Sequence, residues 1–202
     1  IHNLFIHPSL SLSMEFDTLI KKRKSVRHFK NKRVDFRILM EAIDAALQGP
    51  YADNHNHLKF LILENKSAIS KIAEHCEQDW IKKSPAIIVV CSNDTHLENL
   101  YGPRGRIYSR QSAGAAIYAI LLKLAEFKIG SCWVGAYSDR DIRTTLSIPK
   151  EIQIEAIIPL GYPSEETKKP RKSSLDRAIF WEQWENSRRP TYFEEAKEDY
   201  QA

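Results

Sequence analysis

From Gln111 to Tyr137 the chain reads QSAGAAIYAILLKLAEFKIGSCWVGAY. Between Ala113 and Phe127 only Lys123 and Glu126 carry charge, so a helix here is apolar on almost every face. Such a helix has to be enclosed by protein or lipid. A membrane span needs about 20 consecutive apolar residues. This run is shorter and interrupted, so it reads as the central helix of a protein core. Its first turns are small, at Gly114, Ala115, Ala116 and Ala119, which leaves room for a second backbone or a flat ligand. Gly130 is the expected stop, with Lys128 in the last turn. Ser131 to Tyr137 then reads as a short buried strand end. Within it Gly135 and Ala136 have little or no side chain to shield their backbone N–H groups.

Outward from this element, the 202 residues bound a single domain with arms, and 43% hydrophobic with 28% charged residues is ordinary for a packed core. The net charge of +4 argues against a protein defined by nucleic-acid binding. Cys76, Cys91 and Cys132 are widely spaced and form no CxxC pair. They read as reduced, buried thiols of a cytoplasmic protein. Residues 1–13 lack the basic start and long apolar centre of a signal peptide and are expected to be a disordered extension.

Glu15–Lys24 reads as a short helix that runs into an extended basic stretch. Its cations are Lys21, Lys22, Arg23, Lys24 and Arg27, with Ser25 among them. The charge alone fits either a solvated helix end or an anion site with charge-assisted donors. Asp35–Gln48 is a second helix whose Arg37, Glu41, Asp44 and Gln48 form one solvent stripe, ended by Gly49-Pro50. The polar loop from Tyr51 to His57 leads into a strand, Leu58–Leu63. His55 and His57 have no third ligand at useful spacing, so hydrogen bonding is the plainer reading than metal binding. Ser67–Lys82 reads as a helix, Ala86–Cys91 as a strand buried on both faces, and Ser92–Arg110 as an irregular loop, either a lid or a surface excursion. Ser138-Asp139-Arg140-Asp141 reads as a capped helix start, and Ile154–Leu160 as another buried strand. A second basic cluster lies at Lys168, Lys169, Arg171 and Lys172. The tail, residues 176–202, carries aromatics that need a surface to cover, on this chain or on a second copy.

Four segments, in order, are similar to the nitroreductase family of flavin-dependent oxidoreductases over residues 14–175. The first is Arg23-Lys24-Ser25-Val26-Arg27-His28-Phe29. The second is the loop Pro50-Tyr51-Ala52-Asp53-Asn54-His55-Asn56-His57-Leu58-Lys59-Phe60. The third is the small-residue helix at Gly114-Ala115-Ala116 leading to Gly130-Ser131-Cys132-Trp133-Val134-Gly135. The fourth is Pro159-Leu160-Gly161-Tyr162-Pro163 with Lys169-Pro170-Arg171.

The resemblance implies an α+β fold: a central, mostly antiparallel sheet flanked by helices, with a long buried central helix, in a domain-swapped homodimer. It implies one FMN in each of two sites at the subunit interface. Arg23, Lys24, Ser25 and Arg27, with Lys169 and Arg171, would hold the phosphate, ribityl chain and nearby ring edge. Gly135 and Ala136 would offer N–H groups near flavin N5. Pro50, Tyr51, Ala52 and Asn54 would reach in from the other subunit, and Gln78 is a further ring candidate. NADH or NADPH would give a hydride to the flavin, and a nitroaromatic, quinone or other conjugated acceptor would take the electrons. No side chain is implied as catalytic and no metal is implied. In the loop, Tyr51, Asn56 and His57-Leu58 replace the family's Ser, Gln and Pro-Trp. That loop borders the cavity, so the acceptor is not carried over.

Rival readings are reductive dehalogenation or substrate dehydrogenation on the same fold, a flavin-binding protein without turnover, and a basic nucleic-acid-binding protein. The last expects aromatics interleaved with the cations, and the clusters lack them. The chain has no G-x-S-x-G and no G-x-G-x-x-G, which argues against a hydrolase elbow or a standard dinucleotide fingerprint. The phosphate assignment predicts that Arg23→Ala with Arg171→Ala weakens FMN binding by about 3 kcal/mol, roughly a hundredfold in Kd. Fluorescence titration of apoprotein with FMN measures this, and unchanged affinity would remove both arginines from the site.

Overall fold

The structure, a computed structural model, describes residues 15–166 and 174–190. Lys169, Arg171 and residues 1–13 lie outside the described residues. The contact pattern divides the chain after Lys168 into two units.

The first unit is built on a four-stranded sheet of order β1-β2-β4-β3, every pairing antiparallel. The strands are β1 (Leu58–Leu63), β2 (Ala86–Asn93), β3 (Gly130–Ser131) and β4 (Ile152–Gly161). β2 is central and buried from Ala86 to Ser92, as its unbroken β-branched run requires. Side chains alternate along it. Ile88 and Val90 enter one core with Leu39, Ile117, Ile120 and Leu124. Ile87, Val89 and Cys91 enter the other with Ile69, Ile72, Val134 and Ile142. The first core lies under α2 (Phe36–Leu47) and α5 (Pro103–Glu126), the second under α3 (Lys66–His75) and α6 (Asp139–Leu146). α1 (Phe16–Lys22) and α4 (Thr95–Tyr101) complete the set. The second unit contains one 3-10 turn, Leu175–Arg177, and a T-shaped Phe180–Trp184 pair at 5.0 Å.

Side-chain caps start α2 and α3. Asp35 accepts from the Arg37 N–H at 3.0 Å, and Asn65 accepts from Ser67 and Ala68 at 2.9 and 3.2 Å. Ser138 precedes α6 as expected, but its hydroxyl donates to the Asp141 carboxylate at 2.6 Å instead of capping an N–H.

Four expectations change. Residues 92–110 are not an irregular loop: they hold the end of β2, then α4 and the first turns of α5, the two helices separated by Gly102 at φ +56°. Pro103 opens α5, a position where its missing N–H costs nothing. The helix expected over Ser67–Lys82 ends at His75, followed by a 3-10 turn at Asp79–Lys83. Glu77, at φ +53°, is the left-handed residue of a Schellman closure, in which Gln78 N–H donates to Ala73 O at 3.1 Å. The same closure ends α5, with Lys128 at φ +60° and Ile129 N–H donating to Leu124 O at 2.9 Å, so Gly130 is not the stop. Gly130 is in β3, and a Cβ there would lie 2.8 Å from the Val26 side chain. Finally, only Gly130 and Ser131 pair as a strand; past them the chain keeps a single bridge, Val134 to Ile157.

That short β3 leaves the N-terminal half of β4 without a strand on one side. Side chains of the same chain cover it: Tyr137 donates to Ile154 O at 2.9 Å, and Arg143 donates to Ile152 O and, at 2.8 Å, to Pro149 O. An edge so occupied is a poor template for a foreign strand.

The crossing of α4 on α5 rests on Gly105, where a Cβ would meet Leu97 backbone atoms at 2.3 Å. Alanine inside a helix gains about 1 kcal/mol over glycine, but overpacking against backbone costs about 3 kcal/mol. Gly105→Ala should therefore lower the urea unfolding free energy by about 2 kcal/mol, the difference of those terms. Gly135→Ala, whose Cβ would meet nothing within 4 Å, should change it by less than about 0.5 kcal/mol. A neutral or stabilising Gly105→Ala would contradict the packing described.

Candidate functional site

The basic segment leaves α1 at Arg23 and runs extended beside β3. Ser25 bridges Ser131 in parallel, and Val26 N–H donates to Ser131 O at 3.0 Å. Val26 is buried while Arg27 faces solvent, and the missing side chain at Gly130 is what lets the two segments approach. Arg23, Ser25 and Arg27 all act on the Cys132 thiol. Burial pushes that thiol's pKa up, and the Arg27 charge, a Ser25 hydrogen bond and the Arg23 charge pull against it. Cys132 stays a buried thiol, and the cations around it form no ion pair with any described residue; this holds for Arg23, Lys24 and Arg27 alike. The Arg27 guanidinium lies 5.9 Å from the Trp80 ring, and the Trp80 indole N–H donates to Gln78 Oε1 at 3.0 Å.

The bridge at Val134 consumes its own N–H and C=O, in bonds with Ile157 of 2.9 and 3.1 Å. The chain then turns away from the sheet, leaving Gly135 and Ala136 exposed. Neither N–H finds an acceptor among the described residues. Gly114 of α5 stands nearby, since a Cβ on it would lie 3.9 Å from the Trp133 ring.

The loop residues Pro50, Tyr51, Ala52 and Asn54 are not brought to this place. Tyr51 turns back onto α2, donating its hydroxyl to Ala46 O at 2.9 Å, and burial raises its pKa. Ala52 N–H donates to Ser112 Oγ at 3.0 Å. Pro50, Tyr51 and Ala52 line a hollow of about 300 Å³ with Tyr108, Gln111, Ser112 and Ala115. At 3.6 residues per turn these α5 positions point roughly opposite to Ala113, Gly114 and Ile117. Asp53 and Asn54 adopt positive φ, 55° and 49°, and His96 holds Asp53 at 2.9 Å. His57 is 2% exposed; its Nδ1 meets His55 O, and its Nε2 has no partner. No cluster of three metal-ligating side chains occurs among the described residues.

Sequence reasoning missed the cleft on the Gly114 side of α5. It holds about 570 Å³ and is lined by Arg106, Arg110, Ala113, Gly114, Ile117, Trp133, Gly135, Tyr137, Asp139, Arg143 and Glu155, among others. Its wall is a buried polar network. Arg106 donates to Asp94 Oδ2 at 2.7 Å and to Glu155; the Ser92 hydroxyl lies within reach of both carboxylates, 2.8 Å from Asp94, and gives its one proton to either; Ser109 donates to Asp94. Burial lowers the Arg106 pKa, but hydrogen bonding and charge from Glu155 and Asp94 outweigh it, so Arg106 is held protonated. Tyr137 is pushed up by burial and then by Asp139. The signal for this face was the spacing Arg106, Arg110, Ala113, Gly114, Ile117, legible once α5 is begun at Pro103.

Unpaired Arg23, Lys24 and Arg27, the Ser25 hydroxyl, and two free N–H groups beside open space at Gly135 form a donor set suited to an anionic group joined to a flat heteroaromatic ring. FMN has that form, so the residues present fit it.

A nitroreductase family model matches residues 20–86 and 76–162. A protein of Methanothermobacter thermautotrophicus named "Putative NADH dehydrogenase/NAD(P)H nitroreductase" is 32% identical over 151 residues, 72% of this chain and 76% of its own. An iodotyrosine deiodinase of Thermotoga neapolitana is 26% identical over 193 residues, covering 82% of this chain and 98% of its own. The solved structure of an FMN-dependent nitroreductase from Clostridium difficile superposes with a TM-score of 0.71 at 24% identity, covering 82% of this chain and 98% of that one. No described helix is long and apolar enough to cross a membrane. With its antiparallel sheet, its buried α5 and this family match over most of its length, the chain belongs to the nitroreductase family.

Proposed function

We propose that this chain is an FMN-dependent oxidoreductase that takes a hydride from NADH or NADPH and delivers electrons to a nitroaromatic, quinone or similar conjugated acceptor. The observation that carries the reading is the free N–H pair of Gly135 and Ala136, a few residues on from the Cys132 thiol on which Arg23 and Arg27 act. FMN, when bound, supplies the hydride-accepting N5 and the conjugated ring that stores two electrons. The protein's part is to bind and orient. Arg23, Lys24 and Ser25 would hold the phosphate by charge-assisted hydrogen bonds, and the family resemblance adds Lys169 and Arg171 to that set. Arg27, whose guanidinium lies 5.9 Å from the Trp80 ring, would contribute positive charge that favours added electrons on the bound group. Gly135 and Ala136 would offer their free N–H groups to the flavin ring. No side chain is assigned as acid, base or nucleophile.

The site needs a second chain. Pro50, Tyr51, Ala52 and Asn54 belong to the opposite side of α5 from Gly135, so one chain cannot close both halves on one ring. Between those sides α5 exposes a stripe, Ile107, Gln111, Gly114 and Tyr118, in which Ile107 is 51% and Tyr118 42% exposed. α2 exposes Phe36, Met40 and Leu47. Burying these surfaces against a two-fold copy brings one chain's loop to the other's Gly135. The aromatic arm, residues 176–202, is proposed to lie on the partner, and the setting to be cytoplasmic, in keeping with three buried free thiols. A second reading, reductive dehalogenation of a haloaromatic, draws on the likeness to an iodotyrosine deiodinase over nearly that protein's whole length.

Anaerobic titration of FMN-loaded protein with NADH and with NADPH tests the proposal. Loss of the flavin's visible absorbance, restored by a nitroaromatic or quinone, is the expected result. Restoration by halophenols alone would select the second reading. Yellow protein that neither nucleotide bleaches would overturn the NAD(P)H oxidoreductase assignment.

A further inference from the structure

The cleft beside Gly135 contains three arginines, and two of them are committed. Arg106 is held by Asp94 and Glu155. Arg143 donates to the Pro149 and Ile152 carbonyls at the edge of β4. Arg110 lines the same cleft, is exposed, and forms no ion pair or hydrogen bond with any described residue. Of the cleft's two carboxylates, Glu155 is occupied by Ser92 and Arg106, and Asp139 sits in the first turn of α6, where the helix terminus favours its charge.

The aromatic wall of the cleft is Trp133, 44% exposed, with its ring edge against Gly114. Arg110 lies one helical turn N-terminal to Gly114, about 6 Å along α5. Arg110, Trp133 and Gly135 thus line the same open space. We infer that Arg110 is an anion anchor for the electron acceptor, and that the preferred acceptors are conjugated aromatic carboxylates lying along Trp133. The carboxylate meets the guanidinium of Arg110, and the reducible group points to Gly135. A guanidinium binds a carboxylate through two parallel N–H bonds, which also fixes the ring's orientation. This inference rests on the flavin reading, because that reading places the reducible group near Gly135.

The test compares 4-nitrobenzoate, neutral 4-nitrobenzamide and cationic 4-nitrobenzylamine as acceptors, with wild type and Arg110→Gln. In wild type kcat/KM should favour the anion over the amide by roughly tenfold, and the amide over the cation. Arg110→Gln should erase the anion's advantage, through the KM of the anion. A second readout needs no turnover: calorimetric binding of benzoate against benzamide to the FMN-loaded protein. Benzoate should bind more tightly to wild type, lose roughly tenfold in Arg110→Gln, and weaken with added salt. Equal use of anion and amide by wild type, preference for the cation, or an Arg110→Gln protein that still favours the anion would each overturn the inference. Protein that NAD(P)H does not reduce would count against the flavin reading instead, and the calorimetric comparison would still decide the role of Arg110.

Discussion

Helix α5 has no wholly polar face, and α1, α2, α4 and three of the four strands therefore pack on it. Ile117, Ile120 and Leu124 press onto one side of the sheet beside α2. Gly105 takes α4 at backbone contact. Arg106 and Ser109 reach the ends of β2 and β4 through Asp94 and Glu155. The buried ion cluster is costly unless every member is satisfied, and here the two carboxylates, the guanidinium and two hydroxyls satisfy one another. The remaining surfaces of α5 border a cleft, a hollow and an exposed stripe that carries Ile107 and Tyr118. All three follow from the one helix.

Much of this was legible in the residues. The run AIIVVC reads as a two-sided buried strand because no polar position interrupts it, and β2 is buried through Ser92. Asp35 and Asn65 open helices because their short side chains can accept from the first free N–H groups. The stops were harder to read. Glu77 and Lys128 hold left-handed backbone at positions where glycine is the usual signal, so α3 runs on and α5 stops late in a reading from sequence. Gly130 and Gly105 are glycines for another reason: neighbouring atoms occupy the space of a side chain, and only tertiary packing reveals that.

The site divides in the same way. Arg23, Ser25 and Arg27 come to Cys132 because Ser25 pairs with Ser131, a contact that joins residues far apart in the chain. Their motif was readable; their convergence was not. Trp80, its indole N–H held by Gln78, comes within 5.9 Å of Arg27 in the turn that follows the break of α3 at Glu77. Arg106 and Arg110 stayed hidden inside a stretch that reads as a loop, since Gly102-Pro103 suggests a turn and not the first turn of the longest helix. Tyr51, in the place of the small hydroxyl of the family pattern, spends its polar end on Ala46, so that hydroxyl is already committed within its own chain.

The central claim is that two half-sites on opposite sides of α5 become one flavin site only when two chains meet. Sedimentation velocity of the FMN-loaded protein, followed at a wavelength absorbed by flavin alone, tests it directly. The account predicts that all bound flavin sediments with a species of twice the 23.4 kDa chain mass, at one FMN per chain. Tightly bound flavin travelling with the single chain would contradict it.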